Sequence, residues 1–176
     1  MSLRFYGHLA GEPMRAAAEL PAGVEVSVWR PRVDGPPPRD LPAWPNAVWW
    51  AFDRTGVFAN RACGVLRLHE GGRLIHSSLV TPRWFRFPQM ADDDLQIGGV
   101  FTDPAHRGRG LAKAAVRLIA ERWAGEYARL WWIVEDDNIA SIRAIEACGF
   151  TLMGAGERFS PLGVGLLGRY QLLRPA

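Results

Sequence analysis

The arrangement of residues 95–149 constrains the fold more than any other part of the chain. Leu95–Thr102 reads as a strand with two glycines, a helix is predicted over 111–124, and Leu130–Val134 is an unbroken apolar run typical of a buried strand. A second helix is predicted over 139–148 and is closed by a glycine. Consecutive strands joined by a helix run parallel, so this stretch predicts a parallel pair with a crossover helix.

The other predicted strands favour hairpins, because an EGG turn separates two of them. They are Val24–Trp29, Ala62–His69, Leu74–Thr81 and two strands near 150–159 and 165–173. The sequence therefore predicts an α/β (α+β) fold with a mixed, mostly antiparallel sheet. One domain is expected over residues 1–176, since this length supports a single core.

Residues 1–60 are the least regular part of the chain. A short helix is predicted over 13–20, prolines cluster over 31–45, and the segment 47–58 fits a helix or a strand equally well. About 30 residues cannot form a core alone. We therefore interpret the proline-rich part as a long surface connection and not as a domain boundary.

Composition limits the classes of protein to consider. The formal net charge is +3, which suits an anionic ligand but is too small to indicate nucleic acid. No apolar run approaches the roughly 20 residues of a membrane span, and the first residues lack a signal-peptide core. A cytoplasmic protein with no membrane or nucleic-acid partner is expected. The arginine excess over lysine indicates a GC-rich, bacterial genome.

Metal and disulfide sites are not predicted. Cys63 and Cys148 are far apart and form no CxxC motif, so both thiols are expected to be reduced. The four histidines, at positions 8, 69, 76 and 106, show no metal-ligand spacing.

The run Arg107–Ala112 (RGRGLA) lies between the predicted strand and the crossover helix. Its glycines permit backbone turns that a Cβ forbids, and they let a ligand approach the chain. The helix start leaves N–H groups unpaired at the positive end of the helix dipole, and two arginines add charge. The pattern indicates a phosphate site. The alternative is an exposed basic loop that simply begins a helix.

Two other phosphate motifs do not apply. A Walker loop is absent, and a GxGxxG match at Gly163, Gly165 and Gly168 is followed by too few residues for a helix and strand. Those glycines are expected to shape a hairpin.

The chain resembles the GCN5-related N-acetyltransferases (GNAT). Arg107–Ala112 is similar to the R/Q-x-x-G-x-G/A signature of that superfamily, and it follows a strand and opens a helix as the signature requires. The segment 138–150 (NIASIRAIEACGF) resembles the second block of the superfamily. The resemblance is specific over about residues 94–152 and weak before residue 60.

The resemblance implies acetyl-CoA as cosubstrate, no metal, and helices on both faces of a sheet that splays between the two parallel strands. It implies that the cofactor lies in the splay against strand backbone and against the glycine loop. The implied cofactor-binding residues are Val100, Phe101, Thr102, Arg107, Gly108, Arg109, Gly110, Leu111, Ala112, Asn138 and Ser141. Asn138 is equally suited to cap a helix.

Three residues are candidates for catalysis of direct attack by an amine on the thioester. Asp94 is the favoured base because it precedes Arg107 by the spacing found in the histone-acetylating branch, and Glu135 is the second candidate. A solvated Asp92–Asp94 charge run, or an amine that arrives neutral, are the alternatives. Gly98 leaves room for the acetyl group beside a strand N–H that stabilises the oxyanion, unless it serves packing or a bulge.

One position departs from the family pattern. Ile145 stands where many members place a tyrosine that protonates the leaving thiolate. Either another group, such as the hydroxyl of Ser141 or Tyr170, supplies the proton or the thiolate leaves unaided.

The acceptor is predicted from the loop 81–88 (TPRWFRFP), which enters the strand expected to carry the acetyl group. Arg83, Trp84 and Arg86 favour an anionic acceptor with a ring, such as an amino-sugar nucleotide, if the loop is irregular. The alternative is that the aromatic residues belong to the core. The predicted function is N-acetylation of a small-molecule amine or a protein N-terminus. A non-catalytic acyl-CoA-binding domain and a homodimer are both left open.

Overall fold

A computed structural model describes residues 2–15, 19–160 and 168–175. The described part contains eight strands and four α-helices. The strands are β1 (Ser2–Leu9), β2 (Val24–Trp29), β3 (Gly64–Glu70), β4 (Arg73–Pro82), β5 (Leu95–Thr102), β6 (Arg129–Glu135), β7 (Thr151–Phe159) and β8 (Arg169–Pro175). The helices are α1 (Pro31–Asp34), α2 (Ala43–Thr55), α3 (Leu111–Arg122) and α4 (Ile139–Ala147).

All eight strands form one sheet in the order β2-β3-β4-β5-β6-β1-β7-β8. The pair β5–β6 is parallel and the other pairs are antiparallel. The parallel strands pair only from Leu95–Leu130 to Ile97–Trp132, and no pairing continues beyond that point. The fold is therefore a mixed, mostly antiparallel sheet with a splayed parallel pair, as predicted.

The two faces of the sheet carry separate cores because neighbouring strand residues point to opposite faces. On β6, Leu130 and Trp132 belong to a core that also contains Leu111 and Ile142 from α3 and α4. Trp131 belongs to a second core on the other face, against which residues of α2 pack. The helices therefore cover both faces of the sheet, and α3 and α4 share one face.

The predicted elements of residues 62–149 are confirmed with small differences at their ends. The N-terminal part differs more. The segment 47–58 lies mostly in helix α2, and the proline-rich stretch includes α1 and the start of α2. Strand β1 was not predicted. Of the helix predicted over 13–20, the described residues are not helical and 16–18 lie outside them.

The C-terminal strands are found at Thr151–Phe159 and Arg169–Pro175. Residues 161–167, which include two of the three glycines expected to shape a hairpin there, lie outside the described residues. Among the described helices, none is long and apolar enough to cross a membrane.

Candidate functional site

A cavity of about 690 Å³ lies at the splay, near the predicted site. Its walls come from the end of β5, the glycine loop, the first turns of α3, β6 and one face of α4. Predicted site residues that line it are Val100, Thr102, Arg107, Gly108, Gly110, Leu111, Ala112, Asn138 and Ser141. Residues that were not predicted to bind the cofactor also line it, namely His106, Lys113, Val116, Trp132, Ala140, Ala144, Ile145 and Cys148.

The glycine loop is built by backbone geometry. Gly108 and Gly110 both have φ of +76°, a left-handed conformation that a side chain disfavours. Gly110 is the N-cap of α3 and provides no side-chain cap, so the first N–H groups of the helix have no partner within the helix. A Cβ added at Gly108 would meet nothing within 4 Å, so the loop borders open space. This geometry suits an anion.

The two arginines of the loop differ in their surroundings. Arg109 binds Glu70 through both terminal nitrogens, at 3.0 and 2.7 Å, and this contact lowers the pKa of Glu70. His106 Nε2 lies 3.2 Å from the same carboxylate. Arg107 lines the cavity, while the side chain of Arg109 is turned to the β3–β4 hairpin and is not part of its wall.

This difference predicts unequal effects of two matched variants. Arg107→Gln is expected to weaken CoA binding by about tenfold, because it removes a charge from the cavity wall. Arg109→Gln is expected to change CoA affinity by less than about threefold, because the Arg109 guanidinium is paired with Glu70. Isothermal calorimetry of both proteins at low salt measures the two effects. Equal losses would show that Arg109 turns towards the ligand.

Strand β5 contains a bulge where the splay begins. Pairing with β4 passes from Leu79–Gly98 to Ser77–Phe101, and Gly99 has φ of +53°. A Cβ at Gly98 would lie 2.6 Å from Gln96 Nε2, so a glycine at this position avoids a clash with the Gln96 side chain. A bulge also frees backbone groups from the ladder. The role of Gly98 in oxyanion stabilisation stays a prediction.

The bulge sets which side chains of β5 reach the cavity. Val100 and Thr102 line it, whereas Phe101 points to the opposite face of the sheet. Phe101 was predicted among the cofactor-binding residues, but the structure does not bring its side chain to this cavity. Only its backbone can contribute there.

The Thr102 side chain is hydrogen-bonded to a buried histidine. His76 is fully buried, with Nδ1 2.8 Å from the Thr102 hydroxyl and Nε2 2.9 Å from the Ser78 hydroxyl. Burial lowers the pKa of His76 to about 4. The ring is therefore neutral near neutral pH and links the core to the wall of the cavity.

The low pKa of His76 predicts a pH-dependent stability. The unfolded chain takes up a proton below about pH 6.5 and the folded chain only near its lower pKa, so stability falls as pH falls through this interval. Between about pH 7 and pH 5 this histidine should cost about 2 kcal/mol of unfolding free energy. Urea unfolding should show that His76→Gln loses less stability over this interval than the unmodified protein. Equal losses would mean that His76 titrates normally.

Helix α4 supplies the polar groups of the opposite wall. Asn138 Oδ1 accepts the Ser141 N–H at 3.1 Å, so Asn138 caps the helix and lines the cavity at the same time. Trp132 Nε1 donates to Ser141 Oγ at 3.2 Å. Since that bond uses an acceptor site of the hydroxyl, its O–H proton is left to donate elsewhere.

The position of the missing tyrosine is part of the same wall. Ile145 lines the cavity and is buried. Tyr6, Tyr127 and Tyr170 all lie within the described residues, and none of them lines the cavity. Tyr170 instead stacks on Phe87, with ring centroids 5.3 Å apart.

The structure does not bring the candidate bases Asp94 and Glu135 to this cavity. Asp94 is 3% exposed, at the far end of β5, and its Oδ2 accepts the Ala91 N–H at 2.9 Å and the Trp131 indole N–H at 2.8 Å. Glu135 is exposed at the end of β6. Their role as bases stays a prediction, and the contacts of Asp94 give it a structural role.

The predicted acceptor residues of the loop 81–88 also lie apart from the cavity. Trp84 is buried and packs edge-on against Trp49 and Phe52 of α2, with centroids 5.6 and 5.4 Å away. Arg83 pairs with Asp92, and Arg86 lies over the Trp84 ring at 5.1 Å. Trp84 and Phe87 therefore belong to a core, as in the alternative interpretation, whereas Phe85 is exposed.

A family comparison gives the fold its context. The model of the acetyltransferase (GNAT) family matches residues 25–150, which is most of the chain. The chain belongs to the GNAT family. The match includes the glycine loop, the splayed strand pair and α4. No protein of curated function matches the chain.

Solved structures agree with the GNAT fold at low sequence identity. A protein described as an acetyltransferase of the GNAT family from Novosphingobium aromaticivorans is 19% identical with a TM-score of 0.55, over 88% of this chain and 62% of that one. A GCN5-related N-acetyltransferase from Kribbella flavida is 18% identical with a TM-score of 0.54, over 86% and 55%. This GNAT chain thus spans little more than half the length of these two proteins.

A further similar structure contains a ligand. An aminoglycoside N-acetyltransferase solved in complex with CoA is 16% identical with a TM-score of 0.50, over 72% of this chain and 91% of that one.

Within the part of the GNAT chain that the structure describes, no group of three His, Cys, Asp or Glu side chains could hold a metal ion.

Proposed function

We propose that the chain transfers an acetyl group from acetyl-CoA to a primary amine. The observation that carries the proposal is the 690 Å³ cavity, where a glycine loop at a helix N-terminus and the end of a splayed strand form one continuous wall. The loop N–H groups and Arg107 would hold the pyrophosphate. The end of β5, which has no partner on its β6 side, offers backbone groups to an amide-containing arm.

The chemistry requires a direct displacement. The amine nitrogen forms a bond to the carbonyl carbon, the C–S bond breaks, and sulfur leaves with the electron pair. The amine loses one proton to base or solvent, and the thiolate gains one. The Ser141 hydroxyl lies on the cavity wall and would donate its proton to sulfur, or the thiolate would leave unaided.

The cavity wall contributes no carboxylate base. None of the described residues lining it is an aspartate or a glutamate. In this proposal the amine arrives neutral, or it loses its proton to solvent or to a group outside this cavity. The acceptor is a small-molecule amine or a protein N-terminus.

The test is release of free thiol from acetyl-CoA in the presence of a panel of primary amines, with CoA affinity measured by calorimetry on the same protein. Amine-dependent thiol release with CoA binding supports the proposal. Tight CoA binding without release from any amine would instead assign a non-catalytic acyl-CoA-binding domain. Absence of CoA binding would refute both.

A further inference from the structure

A second cavity of about 580 Å³ lies on the other face of β5 from the splay cavity. Gly99 and Phe101 line it, whereas the intervening Val100 and the next residue, Thr102, line the first cavity. The two cavities therefore lie on opposite faces of β5 at the bulge. Beyond Ile97, β5 has no partner on its β6 side, so an acceptor in the second cavity would reach a thioester in the splay through this gap.

We propose that the second cavity holds the acceptor, and that the acceptor is a primary amine on a compact apolar or aromatic body. This inference rests on the proposed function and specifies its substrate class. It differs from the anionic ring predicted from the loop 81–88, because Arg83, Trp84 and Arg86 do not line this cavity.

The walls of the second cavity are mainly apolar. Helix α2 and the segment before it contribute apolar surfaces, β3 and β4 form the floor, and Phe101 forms one side. The apolar lining residues that the argument uses are Leu41, Pro45, Trp49, Val65, Leu79 and Phe101. Phe101 is 47% exposed, which is unusual for a phenylalanine in a strand and leaves its ring available to a ligand. Such walls bind an apolar body by removing it from water.

The charged groups of the second cavity are already paired. Asp40 accepts from Arg67 at 2.8 Å and lies 2.8 Å from His69 Nε2, and these contacts lower its pKa although burial by itself would raise it. Asp103 accepts the Ala105 N–H, which lowers its pKa, and pairs with Arg73 at 2.7 Å.

Arg73 is thus the single arginine among the described residues that line this cavity, and its charge is matched by Asp103. A phosphate would find no unmatched cation there, and a polyamine would find no unmatched carboxylate. One ammonium near these two carboxylates is tolerated, and the apolar walls supply the remaining affinity.

The experiment compares thiol release from acetyl-CoA with 2-phenylethylamine, spermidine and glucosamine 6-phosphate. We expect 2-phenylethylamine to have the highest kcat/KM. In Phe101→Ala its KM should rise about tenfold, because a ring contact is lost, while CoA affinity stays within about twofold. The matched control is Phe159→Ala, which removes a ring that is 49% exposed on β7, outside both cavities, and should leave the KM unchanged.

The outcomes separate this inference from the proposed function. Turnover with spermidine or glucosamine 6-phosphate as the best acceptor, or an equal KM in Phe101→Ala and the unmodified protein, would overturn the acceptor class while leaving acetyl transfer intact. If CoA binds and none of the amines releases thiol, acetyl transfer to this class of amine is refuted as well. Thermal unfolding of both variants verifies that they are folded.

Discussion

Replacing Gly110 with valine is expected to raise the Kd of CoA on the order of 100-fold or more, because a valine resists the left-handed backbone of this position. Gly110 is the N-cap of α3 with φ of +76°. If the backbone rotates to relieve the strain, the first N–H groups of the helix no longer converge on the cavity. If it does not rotate, the strain remains and destabilises the loop that lines the cavity.

The control is Gly125→Val. Gly125 has φ of +81°, a Cβ added there meets nothing within 4 Å, and it does not line the splay cavity. The Gly125→Val substitution therefore imposes similar backbone strain outside the splay cavity. Calorimetry should show near-normal CoA affinity in Gly125→Val and a large loss in Gly110→Val. Unchanged affinity in Gly110→Val would remove the loop from the CoA site.

Asp94→Ala is expected to lower the free energy of unfolding by about 3 kcal/mol, because it leaves one buried and one partly buried N–H donor without this acceptor. These donors are the Trp131 indole N–H and the Ala91 backbone N–H, which share Asp94 Oδ2 in the folded protein. Urea unfolding measures the loss. A loss below about 1 kcal/mol would show that water satisfies these groups.

The variant Asp94→Asn separates the structural role from the predicted role as base. The asparagine oxygen can still accept both N–H groups, so a structural Asp94 predicts a smaller loss of stability and nearly normal kcat for Asp94→Asn. If Asp94 is the base, Asp94→Asn is expected to lower kcat by about 100-fold or more and to leave CoA affinity unchanged. Thiol release by the folded variant therefore decides between the two.

The glycine loop could be predicted from sequence because its features are local. Gly108 and Gly110 indicate positive φ, and the helix start indicates free N–H groups, without knowledge of any distant residue. The splayed pair β5–β6 follows from the connection between its strands. The unpaired N–H groups at a helix start and the alternation of side chains along a strand are both determined by a few neighbouring residues.

The remaining site residues depend on contacts between distant positions. Asp94 looks like a solvated member of an acidic run until Trp131 is seen to donate to it. Trp84 looks like a ligand-stacking residue until the segment 47–58 is seen to be helical and to place Trp49 against it. Sequence spacing contains no information on such pairs. Phe101 is different, since the alternation of β5 relative to Thr102 could have placed it on the other face.

Strand β1 lies inside the sheet, between β6 and β7, and this position affects how the chain folds and where it can be truncated. Leu3 pairs with Glu135 and Ser2 with Glu157, so both edges of β1 are covered by strands that lie far away in the sequence, and these contacts are expected to form late in folding. The family match begins at residue 25. A fragment trimmed to that match would lose β1 together with β7 and β8, and the β6 edge of the remaining sheet would have no partner strand.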